Sequence, residues 1–277
     1  MRHPILWTLT GLATLAAGAL FARRVLSDRH TDRIEAELTA PAPSHTFSEA
    51  DLAGLPEPAQ RYLRHAIAPG APLSPSVRLW MDGTMTPTPG GPSTDLTAVE
   101  TLAPHRGFAW TAEARMNGLP VRVRDHYSDG EGGVDVVALG LLPIPLGSGP
   151  DVVRSARGRL VAEAVWCPTA LVHPSVAWES LGDDRVRFTL TVDADAIPVT
   201  LRLGPDGALR EVALERWGDV AGPPARPIPY GFRVGEERTF DGVTIPVRLT
   251  GGWHFGTEHF DPAGAATFAV HRAEFVR

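Results

Sequence analysis

The sequence predicts a mainly β domain: a curved, largely antiparallel half-barrel sheet of about ten to twelve strands, with one long helix and an N-terminal helical hairpin packed on it. Three observations carry this expectation. Apolar and polar residues alternate with period two through most of 76–275. One strong helical stripe interrupts that alternation at 150–167. The connections between consecutive strands are short, which favours antiparallel neighbours, because parallel pairs need long crossovers.

The helix comes first, because the sheet must bury its face. Val153, Ala156, Leu160, Ala164 and Cys167 recur at spacings of three and four, one apolar stripe. Ser148 with Asp151 resembles a capping box, and Pro150 sits in the first turn, where a missing N–H costs nothing. Arg159 and Glu163 stand four apart and can pair, and Pro168 stops the helix. Gly158 argues against a helix, at about 1 kcal/mol relative to Ala.

Ahead of the sheet, Ser48 and Asp51 form a second capping-box pattern, flanked by Phe47 and Leu52. After Pro56 and Pro58, Ala59, Tyr62, Leu63, Ala66 and Ile67 share one helical face. This hairpin is too short to be stable alone and is expected to pack as a cover. The strands then follow. Val77, Leu79 and Met81 alternate with Arg78, Trp80 and Asp82, and Phe108, Trp110, Ala112 and Ala114 with polar or small residues, while Leu96–Leu102 is a weaker candidate. Two strand-like runs around 119–138 are joined by a Gly-rich turn. Beyond the helix, Val176–Leu181, the clear alternation of Val186, Phe188, Leu190 and Val192, and a hairpin at Gly204–Gly207 continue the pattern. Phe232–Phe240, Val243–Leu249, Gly252–Gly256 and Ala266–Phe275 complete the set.

The amino terminus is of another kind. Ile5–Ala22 is an uncharged run of 18 residues. As a helix at ~1.5 Å per residue it reaches about 27 Å, close to a hydrocarbon core of ~30 Å. A signal peptide is the rival, with Ala17-Gly18-Ala19 as its cleavage site. The length and the abutting Arg23-Arg24 favour an uncleaved single anchor. The organisation expected is therefore an anchor or signal segment at 1–23, a juxtamembrane linker at 24–46, and one half-barrel domain at 47–277. The Arg-rich flank after the run places the domain in the cytoplasm by the positive-inside rule.

Composition excludes several function classes. The 277-residue chain carries a net charge of −6, which is no basic footprint for nucleic acid. Its apolar content of 43%, with seven Trp, supports a core and excludes disorder. The single Cys, Cys167, rules out an intrachain disulfide and continues the helix stripe as a small core residue. There is no G-x-S-x-G, H-E-x-x-H, Walker A or Rossmann fingerprint, so no cofactor or metal is expected. Asp125, Asp129, Glu131 and Asp135 lack EF-hand spacing and read as a solvated hairpin. His254 and His259, five apart, point to opposite faces if on a strand.

Leu55–Leu63 (LPEPAQRYL), Val123–Tyr127 (VRDHY) with Asp129–Gly132, and Arg159–Pro168 (RLVAEAVWCP) resemble an uncharacterised bacterial family of single-anchor proteins, a domain of unknown function. Arg216-Trp217-Gly218 and Phe240–Pro246 fit the same pattern, and the match covers most of 47–277. That family is similar in architecture to the bacterial lipoprotein carriers, whose helix-closed half-barrel encloses a hydrophobic cavity. The resemblance implies an extracytoplasmic domain, against the positive-inside rule, and carries no activity with it.

Asp125 and Tyr127 share parity with Val121 and Val123, so a strand turns them toward the apolar face, where they need partners. Arg159, Glu163 or Arg216 can supply these. The resulting expectation is a membrane-anchored binding protein for a lipid or other hydrophobic molecule, held between the sheet and helix 150–167. Asp125, Tyr127, Leu160, Glu163, Trp166, Arg216 and Trp217 are its candidate ligand-binding residues. The alternatives are an enzyme using Asp125, Tyr127 and Glu163 as acid–base groups on a small hydrophobic substrate, or a structural envelope protein with a filled core.

Overall fold

The computed structural model describes residues 20, 22, 25–40, 45–86, 91–144, 149–220 and 222–276. The expected anchor, apart from Leu20 and Ala22, lies outside them. Among the described residues no helix is long and apolar enough to cross a membrane.

A single antiparallel sheet organises the chain. The first half supplies β1 (Val77–Met85), β2 (Thr94–Ala103), β3 (Gly107–Met116), β4 (Leu119–Ser128), β5 (Glu131–Ala138) and β6 (Leu142–Ile144). The second half supplies β7 (Ala177–Ser180), β8 (Arg185–Val192), β9 (Asp195–Leu203), β10 (Leu209–Gly218), β11 (Arg226–Phe240), β12 (Val243–Trp253) and β13 (Ala266–Phe275). Consecutive strands pair within each half, β6 and β7 stand at opposite edges, and β1 pairs with β13 at the middle of the sheet. The chain therefore steps outward from β1 to one edge at β6, crosses to the opposite edge at β7, and steps back. Because the crossing segment holds the long helix, that helix spans the concavity between the two arms.

The described residues form thirteen strands, slightly more than expected. One of them is the three-residue β6, which straddles Pro143 at the edge of the sheet. Gly252–Gly256 is no separate strand. β12 runs on to Trp253, and His254, at φ 61°, begins a turn.

The long helix is shorter than its stripe. α3 covers Pro150–Ala162 and passes into tighter 3-10 turns at Glu163–Trp166 and Pro168–Val172. Pro168 excludes the helical region for the residue before it, and Cys167 accordingly sits at φ −130°, ψ 62°. The N-cap is Gly149, with no side-chain cap. Ser148, the expected capping residue, lies outside the described residues. The stripe itself faces inward: Ala156, Leu160, Ala164 and Cys167 are buried. α3 packs against β3, β4 and β5 of one arm and β9 and β10 of the other.

The helical hairpin forms as a 3-10 turn at Glu49–Leu52 and a helix, α2, at Glu57–Ala66. Asp51 accepts from the Ser48 backbone N–H at 2.7 Å, closing the capping box. Ala59, Tyr62, Leu63, Ala66 and Ile67 all bury on the face the spacing assigns them, against β7, β8 and β12. The linker holds one more helix, α1, at 25–38. It lies on the outer face of the sheet, where Ile34 and Leu38 bury against Ala103 and Ala109. Arg78 donates to Glu35 at 3.0 Å, and Arg124 donates to Asp28.

Candidate functional site

Strand register sets a polar and aromatic row on the concave face. Glu100 of β2 stands opposite Trp110 of β3, and Trp110 stands opposite Asp125 of β4. With period-two alternation, all three side chains point to the same side. Arg159 descends onto this row from α3. Its Nη1 donates to Asp125 Oδ2 at 2.6 Å and its Nε to Glu163 Oε1 at 2.8 Å. Nη2 lies 3.5 Å from Glu100 Oε1. The guanidinium carbon sits 4.7 Å from the Phe108 ring and 5.0 Å from the Trp110 ring, a cation–π seat on both.

Three carboxyl groups thus share one buried guanidinium, and they cannot all ionise cheaply. Glu100 is fully buried. Burial first, and Glu163 second, push its pKa well above the ordinary carboxylate range, while Arg159 opposes. Burial lowers the pKa of Arg159, but Glu163, Asp125 and Glu100 outweigh it and keep the guanidinium charged. Arg159 is hydrogen-bonded to Asp125 and Glu163, with Glu100 behind them.

A second arginine stands nearby in different company. Arg216 of β10 donates from Nε to the Ser155 carbonyl of α3 at 3.1 Å. Its guanidinium carbon lies 4.6 Å from the Tyr230 ring and 4.9 Å from the Trp253 ring. Tyr230 and Trp253 are cross-strand partners on β11 and β12, their ring centroids 5.0 Å apart. The stem of Arg216 crosses α3 at Gly158, where a Cβ would come within 3.1 Å of Arg216 Cγ. The glycine that counts against a helix is thereby explained by what lies across it.

These two arginine sites line one cavity of about 600 Å³ at the mouth of the half-barrel. Met85, Trp110, Val123, Val134, Tyr230, Trp253, Phe260 and Phe268 supply most of its apolar and aromatic wall; Asp125, Arg159, Glu163 and Arg216 are polar groups at the α3 side. The turn after β12 contributes His254, His259 and Asp261 to the rim. The two histidine rings lie edge-on at 6.0 Å, so leaving the strand brings together residues that an extended chain would separate. Among the described residues no group of three or more His, Cys, Asp or Glu is placed to hold a metal ion.

The seven candidate ligand-binding residues do not gather at one place. Asp125, Glu163 and Arg216 line the cavity. Leu160 is fully buried under α3 and lines no part of it. Trp166 donates to the Pro246 carbonyl at 2.9 Å and borders a separate space of about 20 Å³, room for one water at most. Tyr127 is buried, its hydroxyl donating to Asp193 in the turn between β8 and β9. Trp217 points away, its indole N–H donating to Asp151 at 2.7 Å beneath the Arg154 guanidinium. The candidate ligand-binding residues read from the sequence do not include Glu100, Trp110, Arg159, Tyr230 or Trp253, although Arg159 is among the partners expected there for Asp125. Glu100 had a legible signal, since it continues the inward parity of Leu96, Ala98 and Leu102.

Residues 45–264 match the model of a family described as a family of unknown function, DUF6544. The chain belongs to that family. No curated protein matches it. Among solved structures, the DUF6544 chain is similar to a LolA superfamily protein from Nitrosomonas europaea, at 10% identity and a TM-score of 0.40, covering 79% of this chain and 91% of the other. A putative outer membrane lipoprotein-sorting protein domain from Vibrio parahaemolyticus matches at 9% identity and 0.34, over 79% and 91%. A DUF1329 family protein from Desulfovibrio piger matches at 11% and 0.32, over 73% and 86%.

Proposed function

We propose that this DUF6544 protein is a membrane-anchored binding protein for a lipid or other hydrophobic molecule, with residues 5–22 as the anchor. The observation that carries the reading is the cavity of about 600 Å³ beside α3. Its size falls in the ~300–1,000 Å³ range of small-molecule sites, and its mostly apolar wall with a few placed polar groups is the usual composition of one. Each Å² of apolar ligand surface removed from water contributes about 25 cal/mol, so an acyl chain needs no further chemistry to be held. The ligand lies beside Arg159 and Glu163, not beneath Leu160, where the side chains are packed. Asp125 and Glu163 each commit an oxygen to Arg159, which gives an acid–base role less support than a structural one.

The test is titration of delipidated full-length protein with a neutral apolar fluorophore such as N-phenyl-1-naphthylamine. Trp110 and Trp253 in the cavity wall provide a second, intrinsic signal. Saturable binding at one probe per chain is expected, weakened at least tenfold by Ala265→Trp at the half-buried rim, with the Tm unchanged. Absence of saturable binding by the wild-type protein would refute the reading.

A further inference from the structure

The two arginines of the cavity differ in how far their charge is already answered. Arg159 is met by Asp125 and Glu163 at hydrogen-bond distance, with Glu100 behind them. Arg216 has no carboxylate partner among the described residues; its Nε donates to a backbone carbonyl and its side chain also hydrogen-bonds the Tyr230 hydroxyl. Two aromatic faces, Tyr230 and Trp253, hold its guanidinium in place at 4.6 and 4.9 Å. Aromatic quadrupoles stabilise the cation but do not neutralise it, and the two hydrogen bonds use only part of its five N–H donors. Arg216 lines a cavity whose remaining wall is largely apolar. A half-buried, rigidly seated guanidinium with uncommitted donors at one side of an apolar chamber is complementary to a planar or tetrahedral oxyanion.

We infer that the ligand is an anionic amphiphile, whose carboxylate or phosphate head pairs with Arg216 while its hydrocarbon chain fills the cavity. This rests on the hydrophobic-ligand reading above and goes beyond it by fixing the charge and position of the head group. The Arg159 cluster holds its own carboxylates and offers an anion little. A cationic head in the same place would meet the like charge of Arg216. Nη1 and Nη2 of Arg216 lie at the edge of its planar fork, so an incoming carboxylate can take two parallel hydrogen bonds, whereas an alcohol has one uncharged oxygen and cannot form that pair.

The experiment is calorimetric titration of the full-length protein with four amphiphiles of one chain length: an alkyl carboxylate, an alkyl phosphate, the primary alcohol and the alkyltrimethylammonium. The carboxylate or the phosphate is expected to bind at least tenfold tighter than the alcohol, and the stronger of the two identifies the head group. The ammonium is expected to bind weakest. Arg216→Gln should abolish the preference for the anion and leave alcohol binding within about twofold, and Arg216→Lys should retain part of it. Because Arg216 packs on α3, the Tm of each variant accompanies the titration. The wild-type ranking decides the question even where a variant does not fold. Equal affinity for alcohol and anion, or a preference for the ammonium, overturns the head-group assignment while leaving the hydrophobic site intact. Failure of all four to bind overturns both.

Discussion

Arg216 lies across α3 at Gly158, its Cγ where a Cβ on that residue would approach within 3.1 Å. The contact couples two residues far apart in sequence, and a double-mutant cycle measures it. In a bare helix, Gly→Ala gains about 1 kcal/mol. Here the gain is offset by displacement of an arginine pinned to the Ser155 carbonyl and two rings. Gly158→Ala should therefore change stability by less than ~0.5 kcal/mol in the wild type and raise it by about 1 kcal/mol in an Arg216→Ala background. Denaturant midpoints of the four proteins supply the cycle, and strict additivity would show that the two residues do not touch.

Glu100 gives the fold a pH dependence of definite sign. Burial and Glu163 hold its carboxyl neutral in the folded chain above the ordinary range, whereas in the unfolded chain it ionises near pH ~4.3. Between those two values the folded protein binds more protons than the unfolded one. Stability from this group therefore falls as pH rises through that window, by at most ~1.4 kcal/mol per pH unit. Glu100→Gln keeps the shape and stays neutral. Subtracting the variant's stability profile from the wild type's between pH 5 and 8 isolates the term. The difference should decline with pH, and a difference that climbs would mean that Glu100 is ionised.

Removing the cation from the same cluster is the converse experiment. Arg159→Met fits the space but leaves Asp125 and Glu163 without their partner. Breaking a buried pair in this way costs about 3–5 kcal/mol, far more than an exposed ion pair is worth. Arg159 is only 12% exposed, so the larger figure applies. Equilibrium urea unfolding should show it. A loss under ~1 kcal/mol would mean that water screens the cluster.

Cys167 is buried, and that burial raises its thiol to about 11. The thiolate is the reactive form, so the native protein should resist alkylation by iodoacetamide at pH 8 and label fully once unfolded. Rapid labelling of the folded chain would place Cys167 at an open surface instead.

The sequence makes the layers of this fold legible and leaves most of the site dark, for a physical reason. Periodicity reports which face of an element is apolar. The inward faces of α2, β8 and α3 could thus be named from Tyr62, Phe188 and Leu160 alone. The parity of Asp125 likewise announces a carboxylate in need of a partner, and Arg159 is one of the three named for it. What periodicity cannot report is which distant strand stands opposite. Tyr127 finds Asp193 only because two hairpin tips from opposite arms meet. Arg216 finds Tyr230 and Trp253 through the register of β10, β11 and β12. Trp166 and Trp217 look like cavity residues in sequence, but their indole N–H groups are used elsewhere, on Pro246 and Asp151. A site built from cross-strand neighbours is written in the register, and no single strand carries that.

Native mass spectrometry of the full-length chain, extracted in mild detergent and released intact, tests the ligand-binding proposal most directly. The cavity of about 600 Å³ has room for one acyl chain or a molecule of similar size. The expected spectrum shows the chain carrying a single non-covalent adduct of lipid mass, shed as collision energy rises and missing from Ala265→Trp. A bare chain at every collision energy, from protein that also takes up no lipid added before the measurement, would contradict a ligand-binding half-barrel and leave a filled structural core in its place.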